Sequence, residues 1–193
     1  RVSRGLGDVY KRQGMGREDI DVRCLGSGRP FVLELKRPLR RNLPTKDLVD
    51  MVQTHASGKV EVDELSWCNR KKVNEVKQSR SEKTYTIRFR AEGIDDEKKA
   101  EEAILSLSGQ IIDQETPRRV SHRRAAKTRR RKVTSIDNVS FEEDEIELTL
   151  RCEAGTYVKE LVHSDEGRTK PSVQGVLDAV SYTHLRAHET HEN

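Results

Sequence analysis

Two stretches of strict two-residue alternation constrain this chain most. In KTYTIRFRAE, Tyr85, Ile87, Phe89 and Ala91 share one side while Thr84, Thr86, Arg88 and Arg90 share the other, and Ile146, Leu148, Leu150 and Cys152 repeat the pattern further on. Successive side chains of a strand point to opposite faces, so each stretch reads as a strand with one dry face and one wet face. Between them Ala100, Ala103, Ile104 and Leu107 recur at helical spacing, with Asp95 or Asp96 as the cap and Gly109 as the stop. Nearer the N-terminus, Ile20, Val22 and Cys24, a Gly26-Ser27-Gly28 turn, then Phe31, Leu33 and Leu35 predict a hairpin. RPLRRNLP reads as loop, Thr45 as the cap of a short helix carrying Leu48, Val49, Met51 and Val52, and Val60, Val62 and Leu65 as another strand. NRKKVNEVK reads as a polar helix. Ile111 and Ile112 begin a strand, and after Cys152 an Ala154-Gly155 turn leads YVKELV into a helix or short strand. Interspersed strands and helices with hairpins give an α+β class built on a central mixed or antiparallel sheet.

Only 33% of the 193 residues are hydrophobic, which suits one domain with a thin core. Charge is abundant and locally sorted: 37 Lys+Arg stand against 33 Asp+Glu for a net +4, yet RRVSHRRAAKTRRRK over residues 118–132 holds no acid. Such a run releases condensed counterions from a polyanion on contact, so nucleic acid is the expected partner class. The plainer readings are a solvated basic tract or an address label. Cys24, Cys68 and Cys152 form no C-x-x-C pair, which argues against a disulfide framework or a zinc knuckle and for a reducing, cytoplasmic compartment. No apolar stretch approaches bilayer-spanning length and no signal peptide is evident, so a soluble protein with no membrane partner is expected.

The two ends stand apart. Residues 1–13 and 181–193 resemble translated sequencing-adapter read-through and carry no periodicity that continues into their neighbours. Setting them aside leaves a domain over residues 14–180, read as a fragment. His184, His188 and His191 fall in the tail without acidic or cysteine partners at ligand spacing, so no metal is expected.

The candidate chemistry begins at GREDIDVR, where Asp19 follows Arg17 by two residues. A nearby cation lowers an aspartate's pKa and keeps it ionised, as a carboxylate nucleophile requires. Taken alone, an ion pair at a strand end is the plainer reading, just as Tyr85 alone reads as a core aromatic and Lys159 as a surface lysine.

The order of motifs changes that balance. GREDIDVRCLGSGRPFVLE, SEKTYTIRF, TPRRVSHRR, EAGTYVKELV and DEGRTKPSV, spread over residues 14–177, together resemble the catalytic domain of the archaeal and eukaryotic tRNA pseudouridine synthases of the Pus-ten family. The resemblance implies a pseudouridine synthase fold with a mixed sheet split by a catalytic cleft. It implies isomerisation of uridine to pseudouridine in the tRNA T-loop, at positions fifty-four and fifty-five; a monomer needing no metal or other cofactor is expected. Residue by residue, it makes Asp19 the catalytic aspartate, Lys159 the basic residue paired with it, Tyr85 the ring that stacks on the target base and Leu177 an apolar floor. Arg118, Arg119, Arg123, Arg124, Arg129, Arg130 and Arg131 would then grip tRNA phosphates at the elbow, with Arg17 nearer the pocket. Against the family's pattern, no counterpart is expected in these residues for an N-terminal accessory RNA-binding domain with a cysteine zinc site, or for a last strand after VLD. The competing expectations are a non-catalytic basic RNA-binding module and a regulatory domain whose basic tract is an address.

Overall fold

The computed structural model describes residues 8–14, 23–26, 28–143, 145–178 and 180–191; Arg17 and Asp19 lie outside the described residues. In chain order the elements are β1 (Asp8–Gly14), β2 (Arg23–Gly26), β3 (Phe31–Lys36), α1 (Thr45–Ala56), α2 (Arg70–Gln78), β4 (Lys83–Glu92), α3 (Glu97–Leu105), β5 (Ile111–Gln114), a 3-10 turn (Arg118–Val120), β6 (Arg129–Glu142), β7 (Glu145–Cys152), α4 (Val158–His163), β8 (Thr169–Lys170), α5 (Val173–Leu177) and β9 (Val180–His191). They separate into two compact units, where sequence length and composition suggested one folded body over residues 14–180.

The smaller unit holds β1, β3, α1 and α2. β1 and β3 pair antiparallel, and α2 packs on both. The Asn69 side chain caps α2 by accepting from the Lys71 amide at 3.0 Å. Thr45 is not the cap of α1: Pro44 holds that position, without a side-chain hydrogen bond. No residue of α1 is buried, and Val60 to Leu65 form no strand; the segment is irregular, tied to α1 where Gln53 Nε2 donates to the Val62 carbonyl at 3.0 Å. Val60 and Val62 alternate but Leu65 falls out of phase, and with no partner strand the segment has no ladder to hold it.

The larger unit is a seven-stranded sheet in the order β2-β9-β4-β7-β6-β5-β8, with β2 and β9 parallel and every other neighbouring pair antiparallel. Its inner face follows the alternation read from sequence. Tyr85, Ile87 and Phe89 of β4 and Ile146, Leu148 and Leu150 of β7 are buried against Ile104 and Leu107 from α3 and its following turn, Leu161 and Val162 of α4, and Val173 of α5. Full burial of each large aliphatic or aromatic side chain contributes about 1.5–3 kcal/mol, so this layer carries most of the stability of a chain poor in hydrophobes. The opposite face is polar and crossed by ion pairs: Arg88 pairs with Glu147 and Arg90 Nε lies 3.6 Å from Glu145 Oε1, each between residues directly opposite one another on β4 and β7. Asp96 caps α3 by accepting from the Lys99 amide at 3.1 Å, and Gly109 follows with φ of +76°.

Two sequence expectations are corrected here. Residues 20–35 do not make a hairpin, because β2 joins β9 in the larger unit while β3 joins β1 in the smaller one. Gly26 and Gly28 are both left-handed, at φ of +71° and +69°, and both belong to the larger unit, whereas β3 belongs to the smaller one. A last strand after VLD, which the sequence reading did not expect, is present: residues 180–191 run as β9, between β2 and β4. Strand addition is driven by main-chain N–H and C=O groups that must be paired, and those are indifferent to side-chain period. The side chains of His184, His188 and His191 lie outside the described residues. No helix among the described residues is long and apolar enough to cross a membrane.

Candidate active site

The larger unit brings the motif stretches to one end of its sheet. Lys83, at the start of β4, stands opposite Cys152, at the end of β7, and Cys152 is also opposite Val133 near the start of β6. Tyr85 lies two residues further along β4, opposite Leu150 on one side and Glu189 on the other. β2, which begins four residues after Asp19, runs beside His188 to His191 of β9 at the same end, and α4 packs against β9. Thus the strand after Asp19 and the helix carrying Lys159 both flank β9.

The link from β7 to α4 forms a compact bend. Gly155 adopts φ of +85°, a conformation that side chains resist. Thr156 Oγ1 donates to the Glu153 carbonyl at 2.8 Å, and Tyr157 precedes the first turn of α4 without capping it by its side chain. Val158, Leu161 and Val162 turn into the core, which leaves Lys159 half-buried on another side of the helix. Three groups from the β5-to-β6 segment clamp this bend. Gln114 pairs with both main-chain groups of Tyr157. Arg119 grips Glu160 in bidentate fashion, Nε to Oε1 at 2.6 Å and Nη2 to Oε2 at 3.1 Å, with Glu160 only 1% exposed. Arg131 lies along Gly155, close enough that a Cβ there would sit 3.5 Å from Nη2.

The arginines of the basic tract therefore divide by use. Arg118 pairs with Glu166 at 2.7 Å, and its amide donates to Asp165 Oδ2 at 3.3 Å. Arg119 is committed to Glu160. Arg129 Nη1 donates to Thr116 Oγ1 at 2.8 Å and to the Lys127 carbonyl at 3.0 Å, and its guanidinium lies 5.9 Å from the centroid of the Tyr157 ring, within cation–π range. Arg130 Nε is 3.6 Å from Asp113 Oδ1 in an exposed, weak pair. Arg131 Nη1 donates to the Arg130 carbonyl at 2.8 Å. Arg123 and Arg124 lie in the fully exposed loop 121–128. That loop is fastened at its base by the buried Thr116, whose hydroxyl donates to the Ala125 carbonyl at 2.7 Å and accepts from the Lys127 amide at 3.1 Å.

Tyr85 is buried, with 4% of its surface exposed, and belongs to the core cluster. Leu177, at the end of α5, packs partly buried against the same cluster. Arg17 and Asp19, outside the described residues, receive no structural assignment. Gln114 carried no motif signal, and Glu160 and Tyr157 stand within EAGTYVKELV without a role of their own being read there. Gln114 could have been noticed as a polar side chain two residues after the apolar Ile112, in the buried phase of β5, and Glu160 as an acid bounded by Val158, Leu161 and Val162.

Comparison with known proteins gives the following. The family model described as "Pus10, C-terminal" matches residues 4–186. The chain is similar to the "tRNA pseudouridine synthase Pus10" of Methanothrix thermoacetophila, 46% identical over 166 residues that make 86% of this chain and 36% of that protein. It is likewise similar to that of Thermofilum pendens, 43% identical over 170 residues, 86% of this chain and 38% of the relative. The Pyrococcus furiosus protein of the same description is 40% identical over 166 residues, 86% of this chain and 42% of the relative. The chain thus spans between about a third and a half of the length of these relatives. Among solved structures, a chain of the one described as "Crystal Structure of a Cbf5-Nop10-Gar1 Complex" matches with a TM-score of 0.57 and 20% identity, covering 95% of this chain and 40% of that one, a likeness of fold.

Proposed function

Because this chain belongs to the family described as Pus10, C-terminal, we propose that it is the catalytic portion of a tRNA pseudouridine synthase that isomerises uridine in the T-loop. The observation that carries the reading is the gathering of Lys83, Tyr85, the Gly155 bend and the strand after Asp19 at one end of a single sheet, in a chain that shares 46% of its residues over the matched length with a relative of that description.

In this proposal the target uridine leaves its stack, and an aromatic face recovers about 1–3 kcal/mol of the cost. Tyr157, half-buried beneath Arg129, is a ring available to the base and Leu177 supplies an apolar floor, while Tyr85, packed in the core, backs that end of the sheet from beneath. Asp19 acts as the carboxylate that breaks the glycosidic bond, by attack on the sugar carbon or by taking the neighbouring proton. Lys159 keeps that carboxylate ionised and aimed, and Arg17 adds positive charge beside it. The base turns while trapped and rejoins through carbon, so substrate and product have the same composition. The exposed Arg123 and Arg124 offer phosphate contacts that position the tRNA elbow without reading sequence, with Arg118, Arg130 and Arg131 nearby. The enzyme acts as a monomer in the cytoplasm, and no resident cofactor takes part.

The test is tritium release from C5-labelled uridine in a tRNA transcript, comparing the wild type with Asp19→Ala and Asp19→Asn. Release by the wild type that falls to background in both variants is expected. Release that survives both substitutions refutes the assigned nucleophile, and tRNA binding without release by any form favours the non-catalytic RNA-binding module.

A further inference from the structure

Gln114 closes β5 with none of its surface exposed. Its side-chain amide is used from both ends on one distant residue: Nε2 donates to the Tyr157 carbonyl at 3.0 Å, and Oε1 accepts from the Tyr157 amide at 2.8 Å. Nε2 also lies 3.4 Å from Thr169 Oγ1 of β8. The Tyr157 carbonyl meanwhile accepts the first bond of α4, from the Leu161 amide at 3.0 Å. A buried amide with both ends satisfied is costly to lose, because each orphaned group is left without water or partner. An apolar residue of similar volume would fill the site as Ile112 fills its own, so packing alone does not account for a glutamine here.

We infer that Gln114 is a positioning residue for the reaction: by holding both main-chain groups of Tyr157, it fixes the direction in which α4 presents Lys159. This rests on the functional reading above. Tyr157 immediately precedes α4 and lies two residues before Lys159, so rotation of its peptide groups re-aims the lysine directly. The clamp needs help along the helix, and Arg119 supplies it by binding Glu160, the residue after Lys159. Gln114 and Arg119 flank the start of the basic tract, so the segment that displays Arg123 and Arg124 to solvent is also the segment that sets the helix. A displacement of about 1 Å at a reacting group is enough to cost on the order of a hundredfold in rate.

The experiment uses the chain with tRNA transcript and compares wild type, Gln114→Leu and Gln114→Glu. It reads the single-turnover tritium-release rate at saturating protein, the tRNA dissociation constant, and amide hydrogen exchange over residues 154–161. Gln114→Leu is expected to slow single turnover by about tenfold to a hundredfold, leave tRNA affinity within about twofold, and speed exchange over residues 154–161 but not in β4 or β7. Gln114→Glu keeps the acceptor for the Tyr157 amide and is expected to fall between the two; it decides the matter if Gln114→Leu does not fold. Faster exchange with an unchanged single-turnover rate overturns the positioning role, as does a loss confined to tRNA affinity. Unchanged exchange overturns the clamp itself. A wild type that binds tRNA but never releases tritium refutes the functional reading and the positioning role with it, while the exchange comparison still reports separately on the clamp.

Discussion

Gly155 and Gly109 share a left-handed backbone, at φ of +85° and +76°, but only Gly155 has a side chain against it. A Cβ at Gly109 would meet nothing within 4 Å, whereas at Gly155 it would rest on the Arg131 guanidinium. Left-handed strain for an alanine is about 1–2 kcal/mol, so Gly109→Ala and Gly155→Ala should lower the urea unfolding midpoint by similar amounts. Only Gly155→Ala should also reduce tRNA turnover, since it alone shifts the bend that leads to Lys159. Equal losses of turnover in the two variants would show that strain, and not the bend, is responsible. At this scale the sequence displayed Asp19, Tyr85 and Lys159 through their motifs, but not Gln114 or Glu160. Their partners stand 43 and 41 residues away, and a side chain's role as a hydrogen-bond donor or ion-pair partner is fixed only when folding selects that partner.

Among the elements, β4, β7, α2 and α3 were legible because each carries its own periodicity and, for the helices, its own capping residue. The expected hairpin over residues 20–35 was not, since alternation says that a segment is a strand and nothing about which strand it joins. Glu82, just before β4, illustrates an inter-element lock that no local pattern announces. Thr134 Oγ1 of β6 donates to Glu82 Oε1 at 2.7 Å, and Arg151 Nε of β7 donates to Oε2 at 2.9 Å. The Thr134 hydrogen bond, chiefly, holds this carboxyl below its ordinary value of 4.5; burial opposes it, and the Arg151 guanidinium adds to the lowering. A depressed carboxyl pKa stabilises the fold above the ordinary value, and that contribution disappears as pH falls through the folded-state value. The side chain is 38% exposed, so screening limits the effect. Glu82→Gln should therefore cost less than about 1 kcal/mol at neutral pH, with the gap from wild type closing as urea titrations are repeated below the ordinary carboxylate value. A gap that stays constant into acid would contradict the lock.

For the whole molecule, the basic tract has two physical roles that one composition figure conceals. Arg123 and Arg124 stand on the exposed loop, while Arg119 neutralises a buried carboxylate. Replacing Arg123 and Arg124 together by alanine should weaken tRNA binding and reduce the slope of log K against log salt by about 1.5, with the unfolding midpoint unmoved. Arg119→Ala should do the reverse, destabilising by about 3 kcal/mol, the low end for stranding one member of a buried pair, because Arg119 itself is a third exposed. Filter binding across a salt series and urea titration separate the two, and a steep loss of stability in the double variant would mean that the loop is structural. By itself the sequence determined the one-faced strands, the helix that covers them and the ordered motifs of the family, because side-chain period and local caps are properties of neighbouring residues. Only the tertiary structure decided that β2 and β3 part company, that residues 180–191 enter the sheet, and which arginines face a buried acid and which face solvent. Those outcomes depend on pairing between groups far apart in the chain, and no local pattern encodes the partner.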